Sequence, residues 1–131
     1  MFVSVFAVLA WPRVYRVTAN GDKWAQFPLL KRIAACESTG DVKGVPRQFL
    51  PNGEVLRGYP NPHDIGEFQI NEPTWGKVAK QLGFDIYTEK GNFAMGKWIY
   101  VNDRQHEENW KWSEHCWRVV DGKKYDIIIS G

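Results

Sequence analysis

The sequence has few cysteines, little net charge and no long apolar runs. Each of these features, if present, would have restricted the possible functions. It has two cysteines among 131 residues, and neither belongs to a Cys-x-x-Cys pair, which argues against a redox motif or a structural zinc site. Seventeen basic and fifteen acidic residues leave a formal net charge of +2, so the dense basic surface that duplex nucleic acid requires is missing. We therefore expect no metal and no nucleic-acid partner.

The apolar runs are short. The longest, Phe2–Trp11, is interrupted by Ser4 and is too short to span a bilayer, so we expect no integral membrane span. Two interpretations stay open for residues 1–22, an N-terminal extension. They form a β-strand that is apolar on both faces, or a secretory signal with Val17-Thr18-Ala19 as its cleavage site. Against the signal, Arg13 and Arg16 follow the run instead of preceding it.

Several catalytic motifs are also missing. The chain has no Gly-x-Ser-x-Gly nucleophile motif and no glycine-rich phosphate loop, so we expect no cofactor. His106 is followed by two glutamates, but Trp110 stands where a zinc protease would place its second histidine. These absences argue against serine hydrolases, nucleotide enzymes and zinc proteases.

What remains is the composition of a soluble globular domain, 44% hydrophobic and 24% charged. No repeat or Ser/Gly linker divides it, so we predict one main domain, 23–117, and a C-terminal hairpin extension, 118–131, in which Arg118–Val120 and Tyr125–Ile129 flank Asp121-Gly122. The main domain combines helices with a small β-hairpin around Asn52-Gly53, which predicts a mainly helical α+β fold. Apolar periodicity, caps and stop residues predict helices over Pro28 to Gly40, Asn71 to Gly83 and about Asn92 to Val101.

Glu37 lies on the apolar face of the first predicted helix, near its end. An isolated buried carboxylate is costly, so such a group raises its pKa and stays protonated. Glu37 is therefore a candidate general acid. The alternative is that the helix end leaves Glu37 in solvent or capping a backbone group.

Two segments together resemble the lysozyme-like superfamily. The first is Cys36-Glu37-Ser38-Thr39-Gly40, and the second is Asp64-Ile65-Gly66-Glu67-Phe68-Gln69-Ile70-Asn71. Lytic transglycosylases and resuscitation-promoting factors carry their acid in a Glu-Ser-Gly at a helix end and line the cleft with Gly-x-x-Gln. Animal lysozymes have Asp-x-Gly-x-x-Gln-Ile-Asn. The resemblance extends from about Leu29 to Trp117.

The sequence departs from this pattern at two positions. Thr39 separates Ser38 from Gly40, and Glu67 stands where the family has an apolar residue. Glu67 is either a third cleft carboxylate or a surface substitution, and we favour the surface.

The resemblance implies a peptidoglycan glycosidase that cleaves the β-1,4 bond between N-acetylmuramic acid and N-acetylglucosamine, by hydrolysis or by lytic transglycosylation. Glu37 is the acid, and Asp64 is a nucleophile or an electrostatic stabiliser, unless it only bonds its own turn. Gln69 binds substrate or satisfies the β element, and Gly66 permits close backbone approach. Asn71 is a helix cap.

Aromatic residues are abundant, with seven Trp, seven Phe and five Tyr making 15% of the chain. Trp75 and Trp98 follow helical periodicity and are predicted core residues. Trp110 and Trp112 fall outside clear periodicity, so we predict that at least one forms a sugar-stacking wall of the cleft. Tyr59 is a further candidate for the cleft.

Resuscitation-promoting factors similarly place one cysteine just before the catalytic glutamate and another after a late tryptophan. The resemblance thus implies a bond between Cys36 and Cys116, an extracytoplasmic location and peptidoglycan glycan strands as partner. We expect a monomer. Two alternatives stay open: a non-catalytic glycan-binding module with the same fold, and a structural module of a larger secreted protein.

Overall fold

The structure, a computed structural model, describes residues 22–103, 109–120 and 123–124. Apart from Asp22, the predicted N-terminal extension lies outside the described residues. So do His106, Asp121-Gly122 and the predicted strand Tyr125–Ile129.

The first helix, α1, spans Pro28–Thr39 and ends where the sequence predicts. Pro28 occupies the first turn, where a missing N–H costs nothing. Gly40 follows in the left-handed conformation, with φ 77°, and its N–H donates to the carbonyl of Cys36. These local signals place Glu37 in the last turn of the helix.

Helix α2 spans Glu72–Leu82 and helix α3 spans Glu89–Asn102. The side chain of Asn71 accepts from the N–H of Thr74 at the start of α2, which confirms the predicted cap. Helix α3 begins three residues before the predicted position because Thr88 caps it, accepting from the N–H of Gly91.

A single 3₁₀ turn, Lys111–Ser113, leads into the short helix α4, Glu114–Trp117. The disulfide between Cys36 and Cys116 joins α4 to α1, and its S–S distance is 2.04 Å. The expected cysteine pairing is confirmed. Bonds of this kind persist in oxidising compartments.

Within the described residues, the strands form two antiparallel two-residue pairs. Strand β1, Asp64–Ile65, pairs with β2, Ile70–Asn71, so that Asp64 lies opposite Asn71. Strand β3, Val119–Val120, pairs with β4, Lys123–Lys124, closer along the chain than the predicted partner segment. With four described helices, the α+β class is confirmed.

The hairpin predicted around Asn52-Gly53 is present in reduced form. A single bridge pairs Phe49 with Val55, and the N–H of Leu50 donates to the carbonyl of Glu54 at 2.7 Å. The element is a tight turn rather than two regular strands.

The core is aromatic at its centre. Phe68, Trp110 and Trp117 are fully buried, together with aliphatic residues of α1 and α3. The indole Nε1 of Trp110 donates to the carbonyl of Phe68 at 2.9 Å, and the two rings lie 5.6 Å apart. The prediction of Trp110 as a cleft residue is therefore wrong, because its ring anchors the core.

Trp75 and Trp98 pack edge to face, with ring centroids 6.0 Å apart. Both are partly buried against the core cluster, as helical periodicity predicts.

Two buried amides hold the turn between β1 and β2. Gln48 accepts from the N–H of Glu67 at 2.9 Å, and Asn92 accepts from the N–H of Phe68 at 3.0 Å. Gly66 has φ +75°, and a β-carbon there would clash with both amides. The close approach predicted at Gly66 is therefore that of core amides, not of a ligand.

Glu67 does not lie on the surface. It is 2% exposed, and its carboxylate accepts from Lys23 Nζ at 2.6 Å. Burial raises the carboxyl pKa of Glu67, whereas the hydrogen bond and charge of Lys23 lower it. The prediction of a surface position is wrong because Lys23, far away in the sequence, supplies a cation.

None of the helices in the described ranges has the length and apolar character that crossing a membrane requires.

Candidate functional site

Glu37 is partly buried in the last turn of α1. Burial raises the pKa of its carboxyl from 4.5 to about 7. A hydrogen bond from Ser113 lowers this pKa, and the negative charge of Asp64 raises it. A carboxyl with this pKa still carries its proton near neutrality, which is the state that a general acid needs.

Ser113 is the direct partner of this carboxyl. Its hydroxyl Oγ donates to Glu37 Oε2, and it accepts from the indole Nε1 of Trp117 at 3.1 Å. The 3₁₀ turn ahead of α4 brings Ser113 to Glu37, and the disulfide holds α4 against α1. Sequence reasoning did not identify Ser113 as a site residue, because its partner Glu37 lies 76 positions away and no local pattern links the two.

Asp64 is placed by the β1–β2 hairpin. Its Oδ1 accepts from the side-chain Nδ2 of Asn71 at 2.9 Å, directly across the pair. Asn71 uses its own oxygen to cap α2, so one residue joins the helix start to the carboxylate. The charge of Asp64 raises the pKa of Glu37, so the two predicted carboxylates interact electrostatically.

Gln69 sits in the turn of the same hairpin with φ 48°. Its Nε2 donates to the carbonyl of Gly66 at 3.0 Å and to that of Asp64 at 3.3 Å. Of the two roles left open by the sequence, these contacts favour the amide that satisfies the β element. Gln69 thereby helps to hold the backbone of Asp64.

Two of the exposed aromatic residues, Trp112 and Tyr59, adjoin residues that contact Glu37 or the backbone of Asp64. Trp112 is 87% exposed and directly precedes Ser113, the donor to Glu37. Tyr59 is 98% exposed and follows Gly58, whose N–H donates to the carbonyl of Asp64 at 2.9 Å. Both rings are available for stacking, unlike the buried Trp110.

A metal centre would require at least three ligating side chains in one place. Within residues 22–103, 109–120 and 123–124, no three His, Cys, Asp or Glu side chains are grouped to hold a metal ion.

Comparisons of the chain with protein-family models, with curated proteins and with solved structures give no match. The resemblance to the lysozyme-like superfamily therefore stays a prediction. What the site does is argued from the geometry of Glu37, Ser113 and Asp64.

Proposed function

We propose that the protein is a peptidoglycan glycosidase with a lysozyme-like fold, which cleaves the β-1,4 bond between N-acetylmuramic acid and N-acetylglucosamine. The observation that supports this most is the partly buried carboxyl of Glu37, whose pKa is raised to about 7 by burial and further by the charge of Asp64. Cleavage of a glycosidic bond needs a proton for the leaving oxygen and a negative group near the oxocarbenium-like transition state. The two carboxyls match these requirements.

In the first step, Glu37 donates its proton to the glycosidic oxygen as the bond to the sugar carbon breaks. The ionised Glu37 then acts as the base that takes a proton from the attacking group. Because the donor must be protonated, the rate of the first step falls as the pH rises through about 7.

Asp64 faces the positive charge that develops on the sugar. Its Oδ1 is held by Asn71, so the carboxylate is fixed before the substrate arrives. In a hydrolase, Asp64 is the nucleophile or the electrostatic stabiliser, and water completes the reaction. In a lytic transglycosylase, the substrate's own groups assist Glu37, and an anhydro-sugar end forms.

The choice of substrate rests on the resemblance, with the exposed Trp112 as a stacking surface for glycan strands. An oxidising, extracytoplasmic location agrees with the disulfide between Cys36 and Cys116. The protein acts there as a monomer. Its charge of +2 adds little attraction to an acidic wall polymer.

The test of the proposal is the rate at which purified protein clears a turbid suspension of peptidoglycan. Glu37→Gln removes the proton donor and is expected to abolish clearing. The matched control is Glu54→Gln, because Glu54 is an exposed glutamate on the 50–55 turn. If Glu37→Gln clears at the wild-type rate, the acid assignment is wrong.

If the wild type itself does not clear peptidoglycan, the remaining candidate function is glycan binding without catalysis. It predicts that Trp112→Ala, and not Glu37→Gln, reduces co-sedimentation with insoluble peptidoglycan. For an active enzyme, the product mass separates the two reactions, because an anhydro end is lighter by one water than a reducing end.

A further inference from the structure

Ser113 has three polar neighbours, and each is of a different kind. Its Oγ lies within hydrogen-bond distance of Glu37 Oε2, of the Trp117 indole Nε1 at 3.1 Å and of the Trp110 carbonyl at 3.2 Å. The indole can only donate and the carbonyl can only accept. The carboxyl of Glu37 accepts when it is ionised and donates when it is protonated.

A serine hydroxyl has one hydrogen to donate and two lone pairs to accept with. One lone pair is always occupied by Trp117, so the hydrogen and the second lone pair remain for Glu37 and Trp110. When Glu37 is ionised, the Ser113 hydrogen points to its Oε2. When Glu37 is protonated, the carboxyl donates to the second lone pair, and the Ser113 hydrogen points to the Trp110 carbonyl.

We propose that Ser113 is a positioning residue for the glycosidase reaction, whose hydroxyl turns between Glu37 and the Trp110 carbonyl as Glu37 changes from acid to base. The hydroxyl keeps its own proton throughout, and only hydrogen bonds are exchanged. The carboxyl of Glu37 thus keeps its hydrogen bond to Ser113 in both protonation states. When Glu37 is ionised, the Trp110 carbonyl still accepts from the backbone N–H of Ser113 at 3.2 Å and from Trp117 Nε1 at 3.4 Å. The inference rests on the proposed function, because that function requires Glu37 to work in both states.

The two fixed neighbours of Ser113 are held firmly. Trp110 and Trp117 are fully buried, and the Trp110 indole is itself tied to the carbonyl of Phe68. Cys116, the residue before Trp117, is bonded to Cys36, the residue before Glu37. Glu37 and Trp117, whose side chains both contact Ser113, therefore each follow a cysteine of the same disulfide bond.

The charge that acts on the pKa of Glu37 belongs to another element of the fold. Asp64 on β1 is the charge that raises the pKa of Glu37. On α4, Glu114 and Arg118 form an ion pair with each other, and His115 is exposed. A change at Ser113 can therefore be detected in the titration of Glu37 itself.

The experiment is a carbon-13 NMR titration of the Glu37 side-chain carboxyl in the full chain with its disulfide intact. Ser113→Ala removes a donor to the carboxylate, so the pKa of Glu37 is expected to rise above its wild-type value. Ser113→Thr keeps the hydroxyl and is expected to restore the wild-type pKa. Ser38→Ala is the matched control, because Ser38 is a buried serine next to Glu37 whose hydroxyl bonds backbone groups instead.

The proposal is overturned if Ser113→Ala leaves the pKa of Glu37 unchanged, or if Ser113→Thr changes it as much as Ser113→Ala does. The titration does not depend on activity, so it still decides the role of Ser113 if the protein fails to clear peptidoglycan. In an active protein, Ser113→Ala is expected to lower kcat roughly tenfold and to move the alkaline limb of the pH profile upwards. A purely structural serine would lower the amount of folded protein and leave that limb in place.

Discussion

Two glutamates, the partly buried Glu37 at the end of α1 and the buried Glu67 between β1 and β2, differ in what surrounds them. Burial raises the carboxyl pKa of both. Glu67 has a cation, because Lys23 Nζ lies 2.6 Å from its Oε2. Glu37 has a hydroxyl partner in Ser113 and a like charge in Asp64, which adds to the rise of its pKa. The same residue type is therefore an ion-pair partner in one place and a proton donor in the other.

The largest expected effect is a difference in enzymatic activity between variants of the two glutamates. Glu37→Gln should lower the clearing of peptidoglycan about a thousandfold, because a positioned general acid contributes about 10²–10⁴ to a rate. Glu67→Gln should leave the clearing rate per folded molecule close to that of the wild type. Rates are normalised to the folded fraction measured by circular dichroism, and equal losses in both variants would remove the distinction.

The next effect is on stability and its dependence on pH. The folded pKa of Glu37 is about 7, against 4.5 in the unfolded chain. The contribution of Glu37 to the free energy of unfolding is therefore largest below pH 4.5, and up to about 3 kcal/mol of it is lost as the pH rises through 7. Glu37→Gln should lack this loss and be more stable than the wild type at pH 8. Urea unfolding at pH 4.5 and 8 measures both, and parallel pH profiles would contradict the buried acid.

A smaller loss of folding stability is expected when the cation that pairs with Glu67 is removed. Lys23→Met leaves a buried carboxylate without its partner, which should destabilise the fold by about 2 kcal/mol at pH 7. Lys23 also lies over the rings of Trp24 and Phe93, and methionine keeps part of that packing. Urea unfolding should show a smaller loss at acidic pH, because the raised pKa of Glu67 favours its neutral form there. A loss independent of pH would mean that packing, not charge, is responsible.

The smallest effect concerns Asp64. Asp64→Asn removes the negative charge that raises the pKa of Glu37, so this pKa should fall slightly. The same variant should leave the titration of Glu67 unchanged, since the groups acting on that carboxyl are Lys23 and Glu89. Carbon-13 titration of both carboxyls provides the comparison, and a shift at both sites would point to a general change of structure.

The sequence predicted those features of the fold that depend on neighbouring residues, such as helix ends and caps. Pro28 and Gly40 bound α1, and apolar spacing places Glu37 on its buried face. The cap at Asn71 follows from the same kind of local signal. The start of α3 was misplaced because Thr88 caps it ahead of the apolar pattern.

The parts that the sequence did not predict depend on contacts between distant residues. Nothing near Glu67 indicates that Lys23 lies beside it, and nothing near Trp110 indicates that its indole bonds Phe68. Ser113 meets Glu37 across 76 positions of sequence. The cysteine pairing followed from resemblance, because two cysteines alone do not show whether they are bonded.

The most direct test is the pH dependence of kcat/KM on a soluble peptidoglycan fragment, set beside the carbon-13 titration of Glu37 in the free protein. The account predicts that the rate falls as the pH rises, with a midpoint that equals the measured pKa of Glu37, near 7. A rate that stays constant from pH 5 to 9, or a midpoint that does not coincide with the titration of Glu37, would contradict it.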